Sequence, residues 1–177
     1  MLPATTAFLL GRLDHGGLKS AVIRLLFGGL SRAAVATWTD CYVQRVVPAR
    51  LFAAALAAIE QHRAAGDRLV LLSASPDLFV PQLGRAMGFD EVHCTGVRWD
   101  HDVLHGELTT ANRRGAEKLQ VLQGLRRQYP ESPVTGYGNS PPDLLHLQAC
   151  DAAVYVNAPA NLASELTAVG LQVVRWR

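Results

Sequence analysis

A chain of 177 residues, about half of them apolar and with a formal net charge of +2, can bury one core of its own, with room for a small appendage. Its arginines are scattered, at Arg24, Arg45, Arg63 and Arg85 among others, so it lacks the concentrated basic face that a nucleic-acid partner requires. The apolar run over 21–30 is too short to span a bilayer, Arg24 interrupts it, and the N-terminus lacks the order of a secretory signal, so a soluble cytoplasmic protein is expected.

The first third reads as helix. A helix is expected over 18–27, stopped by Gly28 and Gly29. Ser31 is a good N-cap for a second helix to about Val46, with Val35, Trp38, Tyr42, Val43 and Val46 at roughly helical spacing. Pro48 suits the first turn of a third, running to Ala65 and closed by Gly66.

The pattern then changes. RLVLLS at 68–73 is a short apolar run, the mark of a strand buried on both faces. A helix is expected over 77–87, ended by Gly88. Strands are expected over 91–99 and 103–108, joined by the turn Asp100-His101-Asp102. A helix over 115–128 follows. Strands at 133–137, 152–156 and 171–175 then alternate with helices at 142–149 and 161–169. Such alternation implies an α/β fold with a parallel sheet and right-handed crossovers. Cys41, Cys94 and Cys150 form no C-x-x-C pair and read as small buried residues in a reducing compartment.

Parallel sheets bind ligands beyond the carboxyl ends of their strands, and three features fall there. Ser73-Ala74-Ser75 follows RLVLL, where a hydroxyl and the N–H groups of the next helix can hold a phosphate oxygen; an ordinary cap, with Ser75 ahead of Pro76, is the bland alternative. Lys118 stands near the start of a helix, where the dipole gives it no reason to be; it either neutralises a phosphate or pairs locally with a side chain such as Glu117. Gly136 and Gly138 allow close backbone approach, and Asn139 and Asp143 follow. Asp143 either approaches Mg²⁺ or complements the helix that Ser140 caps.

SAS after a strand, a later lysine on a helix, and GNSPPD after another strand resemble motifs two, three and four of the haloacid dehalogenase superfamily, nearest to its phosphoserine phosphatase subfamily. HRAAGDRLVLLSASPDLFVPQLGRAMGFDEV looks like the family's second-strand unit, WDHDVLHGEL like its hairpin and NRRGAEK like its lysine region. The resemblance implies a Rossmann-like core over 48–177 and part of an α-helical cap over 1–47. It implies Mg²⁺-dependent hydrolysis of a small phosphomonoester through an aspartyl-phosphate. Ser73 would then hydrogen-bond the phosphoryl group, with Ala74, Ser75 and Gly138 lending backbone. Lys118 would neutralise it. Asn139 would stand at the metal, Asp143 would steady the metal's waters or Lys118, and Arg113 and Arg114 would read an anionic group of the substrate or lie on the plain surface.

One part of the pattern is missing. The family's first motif, D-x-D-x-T/V, should precede the cap, yet MLPATTAFLLGRLDHGG holds only Asp14. Asp100-His101-Asp102 satisfies D-x-D but lies in a hairpin turn with Leu104 in the Thr/Val place, and is read as a decoy. The natural protein is therefore expected to be longer, and this chain inactive or nearly so, with metal binding weakened or lost. The first core strand is expected to be absent, leaving its neighbours open, with TTAFLL at 5–10 as a candidate to fill the slot within the chain or by a swap between copies. Two rivals remain: a non-catalytic phosphate-binding protein on the same scaffold, and an oligomeric interaction protein.

Overall fold

The computed structural model describes residues 4–11 and 13–176. The chain divides into two compact units, one holding the chain up to Arg50 together with Arg68–Arg113, the other Leu51–Asp67 and everything from Arg114 on.

The first unit opens with three helices, α1 (Ala4–Leu9), α2 (His15–Phe27) and α3 (Arg32–Cys41), the last continuing into a π turn at Tyr42–Val46. Asp14 caps α2 by accepting from Gly17 N–H at 2.7 Å, and Ser31 caps α3 by accepting from Ala34 N–H at 3.2 Å. Strand β1 (Val70–Pro76) pairs in parallel with β2 (Glu91–Thr95) across helix α5 (Val80–Ala86). Strands β3 (Val97–Asp100) and β4 (Val103–Leu108) form an antiparallel hairpin, its turn held by His101 at φ 55°. Ile23 of α2 and Val35 of α3 bury themselves against Leu78, Val97 and Leu104, so the N-terminal helices share a core with the hairpin.

The second unit begins with a 12-residue helix, α4 (Ala53–Ala64). Helix α6 (Ala116–Gln128) leads to β5 (Thr135–Gly138), a 3₁₀ turn at Pro141–Asp143, helix α7 (Leu144–Leu147), β6 (Ala152–Val156), α8 (Ala160–Ala168) and β7 (Gln172–Val174). The three strands form one parallel sheet in the order β5-β6-β7. Its core is Leu147, Tyr155, Ala158, Leu166 and Leu171.

Several expectations need correcting. The stretch over 5–10 is helical through Leu9, not a strand: its alanine and leucines are good helix formers, and β propensity needs a neighbour to pair with. The helix expected from Pro48 is split into a 3₁₀ turn at Pro48–Arg50 and α4, which starts at the alanine run. The strand expected over 68–73 runs instead from Val70 to Pro76. None of its residues is fully buried, because β2 is its sole partner strand among the described residues. The single strand expected over 91–99 is broken at Gly96 into β2 and β3. Cys41 is exposed rather than buried, and all three cysteines are free thiols.

Among the described residues, β1 pairs only with β2 and β5 only with β6, so each presents one edge to no strand.

Candidate functional site

In the second unit, the loop after β5 folds back over the start of α6. Gly138 ends the strand, and a Cβ there would lie 2.7 Å from Asp143 Cβ and 3.0 Å from Leu147 Cδ1. The glycine is therefore what lets Asp143 close over the strand end. Asp143 Oδ1 accepts from Lys118 Nζ at 2.6 Å. Its Oδ2 accepts from Ser140 Oγ at 2.7 Å, Ser140 N–H at 3.1 Å and Asn139 N–H at 3.2 Å. The residue is 4 % exposed.

Burial pushes the Asp143 carboxyl upward, but the hydrogen bonds from Lys118 and Ser140 outweigh it and hold the group below the ordinary aspartate value. Lys118 thus finds at the unfavourable end of its helix a buried carboxylate rather than Glu117. One turn beyond Asp143, His146 is 6 % exposed, and its Nδ1 has no hydrogen-bond partner among the described residues. Burial lowers its basicity, the charge of Lys118 lowers it further, and Asp143 opposes both. Sequence reasoning passed over His146, although its place three residues after Asp143 on a helix was a signal.

In the first unit, Ser73, Ala74 and Ser75 lie within β1 itself, not in a loop. Ser75 is no helix cap: α5 begins only at Val80, with Phe79 at its N-cap. Ser73 Oγ accepts from Ser75 N–H at 3.1 Å. Ala74 O accepts from Thr95 Oγ1 at 2.9 Å and from Lys19 Nζ, which also reaches Asn112 Oδ1. Thr95 has no exposed surface, and its Oγ1 further accepts from Arg113 N–H at 3.2 Å. Lys19, Thr95 and Asn112 were not foreseen. Thr95 at the end of the neighbouring strand was detectable in principle, but nothing in the sequence marked Lys19.

Arg113 is half-buried in this unit, whereas Arg114 is exposed and belongs to the other. So the structure gathers Lys118, Gly138, Asn139 and Asp143 in one unit, and Ser73, Ala74, Ser75 and Arg113 in the other. The Cys94 thiol is pushed up to about 11, mainly by burial, which leaves it protonated and unfit as a nucleophile. Asp100 and Asp102 serve the hairpin turn: Asp100 pairs with Arg98 at 3.0 Å and Asp102 Oδ1 accepts from Arg32 N–H at 3.4 Å.

The residues present do not by themselves make a Mg²⁺ site. Both oxygens of Asp143 are turned to N–H and O–H donors, and Asn139 adds only a neutral carbonyl. No group of three or more His, Cys, Asp or Glu that could hold a metal occurs among the described residues.

The haloacid dehalogenase-like hydrolase family model matches residues 4–148. The chain belongs to that family. Protein CicA of Caulobacter vibrioides is 29% identical over 157 residues, spanning 88% of this chain and 69% of that protein. A protein of unknown function from Bordetella pertussis Tohama I superposes with a TM-score of 0.83 at 21% identity, over 97% of this chain and 78% of its own. A probable phosphoserine phosphatase from Vibrio cholerae gives 0.77 at 16% identity, over 98% and 51%. At such identities the structural matches speak for the α/β fold alone. No helix among the described residues is long and apolar enough to cross a membrane.

Proposed function

We propose that this family member is built to handle the phosphoryl group of a small phosphomonoester. One observation carries the reading: the buried Lys118–Asp143 pair, closed by Ser140 and the Asn139 N–H at the carboxyl end of a parallel strand. Family membership supplies the reaction class. In it, Lys118 neutralises developing negative charge, Asp143 holds Lys118 in place, and Ser73 hydrogen-bonds a phosphoryl oxygen. Arg113 and Arg114 read a second anionic group of the substrate, and the helices before Pro48 act as the cap that chooses it.

The 177 residues contain no D-x-D-x-T/V, so they hold no acceptor carboxylate in that motif's place. This favours the rival reading, phosphate binding without turnover, for the chain as it stands. Calorimetry with inorganic phosphate tests the first half: binding is expected, weakened in Ser73→Ala and in Lys118→Met, and no binding sinks it. Assays with p-nitrophenyl phosphate and Mg²⁺ test the second: negligible turnover is expected. Robust Mg²⁺-dependent turnover lost in Lys118→Ala would show the chain to be a competent phosphatase.

A further inference from the structure

On the opposite face of β5, three side chains form a hydrogen-bonded chain that the phosphoryl reading does not use. The Cβ positions of Gly136 and Gly138 look toward Cys150, Leu147 and Asp143, so Tyr137 between them looks the other way. There it meets helix α4. His62 Nε2 lies 2.9 Å from the Tyr137 hydroxyl, and His62 Nδ1 lies 2.7 Å from Asp67 Oδ2.

The sequence builds this arrangement locally. His62 lies in the last turn of α4, Gly66 takes φ +81° as the left-handed closing residue, and Asp67 N–H bonds back to His62 O at 3.0 Å while Gly66 N–H bonds to Arg63 O at 3.0 Å. This double closure swings the Asp67 side chain back over the imidazole of the residue it caps. With Asp67 ionised, Nδ1 carries the proton toward it and Nε2 accepts from the phenol. The order is carboxylate, imidazole, hydroxyl, the order that activates an oxygen nucleophile in acyl transfer.

We propose that Tyr137 is an acyl-acceptor site, its phenol activated by the His62–Asp67 dyad toward aryl esters. Tyr137 is 39 % exposed, so an electrophile can reach it. Its ring lies 5.8 Å from that of Trp176, tilted by 33°, and 5.6 Å edge-on from that of His62, so the approach is aromatic and suits a flat leaving group. In the step, the Tyr137 oxygen attacks the acyl carbon and its proton passes to His62 Nε2. The acyl–oxygen bond to the aryl group breaks, and the aryl oxide leaves with the bonding pair, taking up the proton. Asp67 stabilises the transient imidazolium as a positioning residue. Burial raises the Tyr137 phenol above its ordinary value, so a base is needed for it to react near neutral pH.

The test is labelling of the whole chain with p-nitrophenyl acetate, followed by peptide mass mapping. Tyr137 is expected to be acetylated faster than Tyr42 and Tyr129. His62→Gln, which keeps a hydrogen-bonding side chain but no base, is expected to slow it about a hundredfold. Asp67→Asn slows it less, and Asp67→Glu restores it. Label confined to lysines or the amino terminus, Tyr137 labelling no faster than the other tyrosines in the unaltered chain, or an unchanged rate in His62→Gln overturns the proposal.

Discussion

Lys118 Nζ and Asp143 Oδ1, 25 residues apart in the chain, meet at 2.6 Å with only 14% and 6% of their side chains exposed. Removing one member of such a pair strands the other. Asp143 keeps three hydrogen bonds from Asn139 and Ser140 but loses its counter-charge. Lys118→Ala is therefore expected to destabilise the fold by about 3 kcal/mol, and urea unfolding measures it. A cost below about 1 kcal/mol would mean that the pair is solvated in solution.

His146 gives a pH signature. Its basicity is depressed in the folded state by burial and by Lys118, so the unfolded chain binds its proton at higher pH. Its contribution is therefore intact above the ordinary histidine value of about 6.5, erodes as pH falls below it, and is lost once pH drops through the folded value. His146→Leu is expected to be neutral or stabilising by about 1 kcal/mol at pH 7, because it removes a buried nitrogen without a partner, and to flatten that erosion. Urea midpoints of both proteins over that range decide it.

Gly138→Ala places a methyl 2.7 Å from Asp143 Cβ. The 3₁₀ turn carrying Asp143 must shift, and overpacking of this kind costs about 2 kcal/mol. The variant is expected to lose phosphate binding along with stability. Calorimetry beside thermal unfolding checks both.

Thr95→Val keeps volume but deletes the hydroxyl, on a side chain with no exposed surface, that joins Ala74 O to Arg113 N–H. A buried N–H left without its acceptor costs about 2 kcal/mol. Hydrogen exchange at Arg113 is expected to accelerate, and an unchanged rate would show that this bond does not order the loop.

Much of this was readable from residues because the signals were local. Ser31 and Gly66 ended their helices as their chemistry dictates, and the alternation after Arg68 gave the parallel sheets. Lys118 stood out by its helix position, whereas Asp143 as its partner came only from the family resemblance, not from the spacing of the residues. A pair 25 residues apart is fixed by tertiary packing that periodicity does not encode. The error over residues 5–10 has the same root. Two threonines suggested a strand, but a strand forms only beside a neighbour, and a stretch of alanine and leucine without one coils into helix. Ser75 misled because a serine before a proline is a good cap in isolation, whereas pairing of Pro76 with Thr95 carried the strand past it.

Strands β1 and β5 each leave one side of their backbone uncovered by any strand among the described residues. Such a rim is adhesive: it will dock whatever extended polypeptide comes near, whether a tethered segment, a twin molecule or a misfolded neighbour. Any association of this chain with an extended segment or a second copy therefore has two defined places to start, one along each rim.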